Sequence, residues 1–334
     1  MSLGIYPKTG RGILPALRLN PKTNDPALYL PSEGLITAVE VALALGQPLL
    51  LTGEPGTGKT QLADHLAWKF ELGDTEVFNA QTGSAARDLF YRYDALAHFQ
   101  YAQTRSETLT DDEVERLFIQ YQALGKAIRD NRRAVVLIDE IDKAPRDLPN
   151  DVLAALEKLE FRVPEAGNKT YAAAPTNRPV IIMTSNSEKN LPDAFLRRVV
   201  YYHIPFPNHA ELLRILQTKT DGYAPDALDA LIDHFELLRG NKQFTLKKPP
   251  ATAELIYWTL LLREMNFDAA ALGAGVEPGT ALDAREKERR LLDALRRLDD
   301  TQRGQLLSSY SVLAKTQDDL HTLREMLYPS RGRS

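Results

Sequence analysis

Eight residues, Gly53-Glu54-Pro55-Gly56-Thr57-Gly58-Lys59-Thr60, constrain this chain more than any other stretch. They fit the pattern G-x-x-x-x-G-K-[ST], which carries a mechanism only between a buried strand and a helix. Both flanks are present. Pro48-Leu49-Leu50-Leu51-Thr52 is an unbroken apolar lead-in, and Leu62, Leu66 and Phe70 recur every fourth residue behind the loop. Glycines let successive N–H groups curl inward around a polyphosphate, and the following helix adds the positive end of its dipole. Lys59 would neutralise the β- and γ-phosphates, and the Thr60 hydroxyl would ligate Mg²⁺. With Gln61 behind them, these positions are the candidate nucleotide contacts.

The chain's 334 residues suffice for one large domain or two modest ones. With 43% hydrophobic and 26% charged residues, its composition is that of a soluble globular protein. No apolar run approaches the roughly 18 residues of a membrane span, and no charged-then-apolar signal peptide opens the sequence. Cysteine is absent, which excludes disulfides and thiolate metal sites and makes cytoplasmic residence the default. A net charge of -4 argues against a protein that coats nucleic acid. The six histidines show no metal-ligand spacing, so His65 and His203 read as ordinary surface or boundary residues.

Residues 1–30 form an irregular arm whose Ile13, Leu14, Leu17 and Leu19 are expected against the core. Ser32 opens a helix with Ile36, Val39, Val41, Ala42 and Leu45 on its apolar side, and Gly46 stops it. Glu76 to Ala80 reads as a second strand. The aromatic-rich segment 85–103 reads as helix packing. Thr110-Asp111-Asp112-Glu113 has capping-box form and starts a helix with Val114, Leu117, Phe118, Tyr121, Leu124 and Ile128 on one face. Ala134 to Ile138 is β-branched and unbroken, as a strand covered on both faces should be. Phe161 to Tyr171 reads as a hairpin around Pro164–Lys169. Val180 to Thr184 and Val199 to Ile204 are two further strands. Beyond Pro207 the pattern is purely helical, with Thr252 as a cap and an Ala/Gly-rich linker at 267–280. The mixed-charge face from Arg285 to Arg290 reads as solvated.

Asp139 and Glu140 stand at the C-terminal end of the third buried strand, where open parallel sheets bind ligands. Neighbouring strand residues point in different directions, so the two carboxylates divide the work. Asp139 would hold hydrated Mg²⁺, and Glu140 would polarise the attacking water. The pair points to phosphoryl transfer to water.

Taken together, these residues resemble an AAA+ ATPase of the MoxR-like family. The resemblance rests on Gly53–Thr60, on Val136-Leu137-Ile138-Asp139-Glu140-Ile141-Asp142-Lys143-Ala144, on Thr184-Ser185-Asn186, and on Leu191-Pro192-Asp193-Ala194-Phe195-Leu196-Arg197-Arg198. It is strong over residues 31–206 and looser over 207–325. It implies an α/β/α sandwich on a five-stranded parallel sheet of order 5-1-4-3-2, with a C-terminal helical lid. The nucleotide-binding core would span 1–206 and the lid 207–334, with a flexible insertion near 267–280. The resemblance gives Asn186 the water-orienting role, and has Arg198, or else Arg197, reach a neighbouring subunit's ATP. Asn79 would restrain Glu140. One position departs from the pattern: no Arg opens the lid helix, and Lys247-Lys248-Pro249-Pro250 stands there, with Lys248 as the substitute cation. That string resembles the MoxR-like proteins of carbon monoxide dehydrogenase maturation, with Tyr257 in place of Asp before Trp258. The resemblance further implies ATP and Mg²⁺ as cofactors and a homo-oligomeric ring, a hexamer. It also implies a chaperone-like role on a protein client with a von Willebrand factor A (VWA) domain partner. Apart from the resemblance, the place of the 164–169 hairpin between the acidic strand and the next one leads us to expect it to face the central pore, with its turn touching that client. Two other readings share the core: a nucleic-acid-associated or restriction-type motor, and a non-hydrolysing ATP switch.

Overall fold

The computed structural model describes residues 20–104, 109–187, 191–240, 244, 246–273 and 284–329, with residues 6, 9–11 and 13 before them. The chain divides into two compact units, Tyr29–Pro205 and a second built from Met1–Leu28 with Phe206–Ser334.

The first unit opens with α1 (Glu33–Leu45), β1 (Leu49–Thr52), α2 (Lys59–Lys69) and β2 (Glu76–Asn79). An excursion follows: β3 (Tyr91–Tyr93), α3 (Ala95–Thr104), α4 (Asp111–Phe118), β4 (Ile119–Tyr121) and α5 (Ala123–Arg129). The chain then returns through β5 (Val135–Asp139), α6 (Leu148–Lys158), β6 (Glu160–Val163), β7 (Lys169–Ala172), β8 (Val180–Thr184), α7 (Asp193–Leu196) and β9 (Val200–His203). The sheet order is β2-β5-β8-β1-β9, and every pairing is parallel. Counted among these five alone, that is 5-1-4-3-2, as the resemblance implies. β1 and most of β5 and β8 are buried, since helices cover both faces and leave no polar side to alternate with.

Ser32 caps α1, its hydroxyl accepting from Leu35 N at 3.3 Å, and Gly46 ends the helix in the left-handed region. The buried stripe is Leu35, Ala38, Val39 and Ala42. Ile36, Val41 and Leu45, expected inward, are exposed, Leu45 by 62%. A helix turns about 100° per residue, so a stripe centred on 35, 38, 39 and 42 cannot also bury 36 and 41.

The single helix expected from residue 110 is two helices with a strand between. The capping box holds: Glu113 accepts from Thr110 N at 2.9 Å. After Phe118 the chain extends, and β4 pairs antiparallel with β3, Tyr91 opposite Tyr121. The predicted hairpin is present as β6 against β7. α4 packs against one side of its turn, while Pro164, Gly167 and Asn168 stay exposed. Ala166 is buried, and a Cβ on Gly167 would lie 2.0 Å from Asp111 Oδ2. Lys169 Nζ bonds Glu115 Oε2 at 2.6 Å and Asp112 Oδ1 at 3.1 Å. Tyr121 and Tyr171 both donate to Glu115 Oε1.

The second unit packs α8 (His209–Lys219), α9 (Pro225–Gly240), α10 (Thr252–Glu264), α11 (Ala284–Arg297), α12 (Asp300–Leu313) and α13 (Gln317–Leu327) around one core. Within it His234 stacks between Trp258 and Tyr310 and bonds Tyr310 Oη at 2.8 Å. Burial pushes the His234 pKa down to about 3, so the ring is neutral. Glu254 accepts from Ala251 N at 2.8 Å, which makes Ala251, not Thr252, the capping position of α10. Phe267, Ala269 and Leu272, expected in a linker, are buried in this core, because the Ala-rich segment folds into a short 3-10 turn. Residues 274–283 of that expected insertion lie outside the described residues.

The N-terminal arm groups with the helical unit, not with the nucleotide core as expected. Lys219, buried, donates to Thr23 O at 2.9 Å, Asn20 donates to Lys219 O at 3.0 Å, and Lys22 pairs with Asp221 at 2.7 Å. Ile13 is 95% exposed; Leu14, Leu17 and Leu19 lie outside the described residues. Among the described residues no helix is long and apolar enough to cross a membrane.

Two outcomes follow from this packing. A Cβ on Gly125 of α5 would come within 1.8 Å of Phe90 O, a backbone atom that cannot step aside. Gly125→Ala should therefore cost about 1–3 kcal/mol or more of stability by denaturant titration; an unchanged midpoint would show that α5 does not press on that backbone. His209 faces Asp229, Asp233 and Glu236 of α9, with Lys287 of α11 paired to Asp233. The bond to Glu236, opposed by burial and aided by Asp229, raises its pKa from 6.5 to about 9. The folded state thus holds this proton more tightly than the unfolded chain. Its contribution is complete below pH 6.5 and is lost as pH rises through about 9. Urea midpoints from pH 6 to 10 should show a decline that His209→Gln flattens; identical pH profiles for both proteins would refute it.

Candidate functional site

β1 ends at Thr52 and releases the chain into a loop that only glycine permits at three points. Gly53, Gly56 and Gly58 have φ of 141°, 78° and 87°. A Cβ on Gly53 would stand 2.6 Å from Ile204 O, and one on Gly58 would stand 3.0 Å from the Tyr29 ring. Thr57 Oγ1 ties the turn by donating to Glu54 O at 2.8 Å. α2 then starts at Lys59 behind Gly58, which has no side chain to cap it, so its first-turn amides are left for another acceptor.

Lys59 Nζ reaches back across its own loop. It donates to Gly53 O at 2.8 Å, Glu54 O at 3.1 Å and Asn186 Oδ1 at 3.1 Å. Burial pushes its pKa down, and the charges of Asp139, Asp142 and Glu140 oppose that shift. Thr60 Oγ1 donates to Asp139 Oδ1 at 3.3 Å. The same carboxylate oxygen accepts from Thr184 Oγ1, which in turn accepts from Glu140 N at 2.9 Å. Asn186 closes the ring: its Nδ2 donates to Glu140 Oε1 at 3.5 Å, and its backbone N donates to Asp142 Oδ1 at 3.4 Å. Parallel pairing of β5, β8 and β1 puts these groups side by side, because each comes from the C-terminal end of its strand or just beyond it.

Lys59, Thr60, Asp139, Glu140 and Asn186, chosen from sequence, therefore meet in one place. Others do not join them. Arg197 and Arg198 follow α7, both exposed, and neither makes a side-chain hydrogen bond or ion pair with any described residue. Glu54 and Pro55 are exposed on the loop, and Gln61 is half-buried on α2. Lys248 is exposed in the helical unit, before α10; beside it Lys247 pairs with Asp318. Asn79 sits opposite Asp139 in register yet makes no bond to Glu140. Lys143 does so instead, its Nζ 2.5 Å from Glu140 Oε2. Sequence reasoning missed Thr184, Asp142 and Lys143 as site residues. The i, i+3 spacing from Glu140 to Lys143 was the available signal for the last.

The donor set suits a magnesium-bound triphosphate. A buried ammonium whose nearest partners are neutral acceptors has room for an anion, and uncapped amides face the same loop. Thr60 and Asp139 offer two hard oxygens close together, the type Mg²⁺ prefers. His209, Asp233 and Glu236 also form a close triad in the helical unit, but Lys287 already neutralises Asp233 there.

Residues 48–199 match the AAA domain family in its dynein-related subfamily. Protein NorQ of Paracoccus denitrificans (strain Pd 1222) is 27% identical over 273 residues, which covers 80% of this chain and 93% of NorQ. Among solved structures, a point variant of Thermotoga maritima RuvB aligns with a TM-score of 0.40 at 15% identity, over 83% of this chain and 74% of that one. The T. maritima RuvB Holliday junction branch migration motor aligns at 0.39 and 14% over the same shares. Residues 48–199 of this chain are thus an AAA domain of the dynein-related subfamily, the type found in MoxR-like ATPases.

Proposed function

We propose that this protein hydrolyses ATP in a Mg²⁺-dependent manner as a MoxR-like, ring-forming ATPase, and uses the cycle to remodel a protein client. The observation that carries the reading is the meeting of Lys59, Thr60, Asp139, Glu140 and Asn186 at the strand ends of an AAA domain. Bound Mg²⁺ would supply charge neutralisation between the phosphates. Thr60 and Asp139 would hold the ion. Lys59 gives up its loop carbonyls and Asn186 to take phosphate oxygens, a gain because a charged acceptor binds an ammonium more strongly than a neutral one. Glu140 draws the proton from the attacking water, and Asn186 orients that water. Phosphoryl transfer needs positioning and charge more than covalent help, and these five side chains supply both.

Arg198, with Arg197 as the alternative, acts on the adjacent subunit's nucleotide. Two cations with no side-chain partner among the described residues support that reading, since a residue meant to act in trans should be uncommitted in cis. The ring, of hexameric stoichiometry, follows from that requirement and from the habit of AAA ATPases. The lid role of the helical unit and the point-charge role of Lys248 rest on the likeness to MoxR-like proteins. A VWA-domain partner and a cytoplasmic setting are part of the same reading and rest on the likeness to MoxR-like proteins.

Glu140→Gln should leave affinity for a fluorescent ATP analogue intact and lower phosphate release by about 10²- to 10⁴-fold. A variant with turnover equal to the wild type would discard hydrolysis through Glu140. Arg198→Ala should bind nucleotide normally and lose about 10³-fold or more in turnover. If instead Arg197→Ala alone shows that loss, the trans role passes to Arg197.

A further inference from the structure

Glu140 combines a fixed backbone with a side chain held only by exposed partners. Its backbone is in the left-handed region, φ 54° and ψ 48°, which a bulky residue adopts only when the surroundings impose it. Thr184 imposes it: its hydroxyl takes Glu140 N at 2.9 Å while bonded to Asp139. Beyond the Cβ the restraints are different in kind. Asn186 Nδ2 touches Oε1 at 3.5 Å, the edge of hydrogen-bonding range. Lys143 Nζ is 2.5 Å from Oε2, and both side chains of that pair face solvent.

We propose that Lys143 is a positioning residue that keeps Glu140 in a resting orientation. The proposal rests on the hydrolytic reading above. With one oxygen on an ammonium and the other on an amide, the carboxylate is held in one direction, and a water must meet it in that direction. Of the two partners Lys143 is the stronger, so it sets that direction, and turning the carboxylate toward a water elsewhere means releasing it. An exposed ion pair is weak, so the restraint is light and reversible. Asn79, in register beside Asp139, makes no bond to Glu140, so the resting partner comes from three residues along the same turn.

The test compares the full chain with Lys143→Met, Lys143→Arg, Glu140→Gln and the Lys143→Met/Glu140→Gln double variant. Phosphate release is measured across ATP concentrations, and affinity for a fluorescent ATP analogue is measured separately. Lys143→Met should raise kcat about two- to fivefold, the range an exposed pair allows, with KM and analogue affinity unchanged. Lys143→Arg keeps the charge and should behave as wild type. The double variant should be as slow as Glu140→Gln, because the gain is exerted through Glu140. A crystal structure of Lys143→Met without nucleotide should show the Glu140 carboxylate moved from its present direction. A fall or no change in kcat, a KM change of similar size, or an unmoved carboxylate would each overturn the proposal. Equal turnover in wild type and Glu140→Gln would instead remove the hydrolytic reading, and the carboxylate position would then decide on Lys143 alone.

Discussion

A buried ammonium organises the first unit. Lys59 can remain inside the loop only because carbonyl oxygens of Gly53 and Glu54 and the amide oxygen of Asn186 surround it, and because three carboxylates stand near. Those acceptors come from two places: the loop after β1 and the chain just beyond β8. The strands must therefore be neighbours and parallel, and the loop must close tightly enough to turn its carbonyls inward. Gly53 meets the second demand, since any side chain there would strike the backbone at Ile204. The sheet order and the loop glycines answer one electrostatic requirement.

The excursion from β3 to α5 shows a second organising charge, further from the phosphate loop. Glu115 accepts from Tyr121 and Tyr171 and pairs with Lys169, so one carboxylate joins α4, β4 and β7. Against its partial burial those partners hold its pKa down, while burial first, and then the bonds to Glu115, push the Tyr121 and Tyr171 hydroxyls up. Phe161 reinforces the join by stacking on Tyr171 at 5.4 Å and on Phe90 at 5.0 Å. The hairpin and the excursion are consequently one packed body, with Ala166 of the turn buried in it and the rest of the turn at the surface.

Much of the sheet is legible in the sequence because burial on both faces writes an unmistakable code. Leu49 to Leu51 and Val135 to Ile138 have no polar residue to confuse the reading. The break after Phe118 was not legible. Val114, Phe118, Tyr121, Leu124 and Ile128 are all buried, at spacings that suit one continuous helix. What stops that helix is non-local: β4 pairs with Tyr91–Tyr93, almost thirty residues earlier, and a hydrophobic period carries no information about that partner. The α1 face was misread for the opposite reason. Ile36, Val41 and Leu45 are apolar without being covered, and hydropathy alone cannot tell a core residue from an exposed one. At the site, the contiguous motifs declared themselves, whereas Thr184 acts through a side-chain direction that no spacing records, and Lys143 left only its i, i+3 spacing from Glu140.

Around the loop, rigidity and freedom are divided by residue. Asp139 is held by two hydroxyls, Lys59 by three acceptors, and the Glu140 backbone by Thr184. Asp139, Lys59 and Thr184 are themselves half-buried or better, where a hydrogen bond is stronger and slower to exchange. Lys143, Arg197 and Arg198 are exposed, and the two arginines have no side-chain partner among the described residues. In the proposed cycle, nucleotide capture falls to the fixed groups and the rate of hydrolysis to the free ones. The buried groups cannot be altered without unsettling the sheet, whereas an exposed cation can be recruited or released at little cost. Control of turnover therefore belongs on the solvent-facing side of the same cleft.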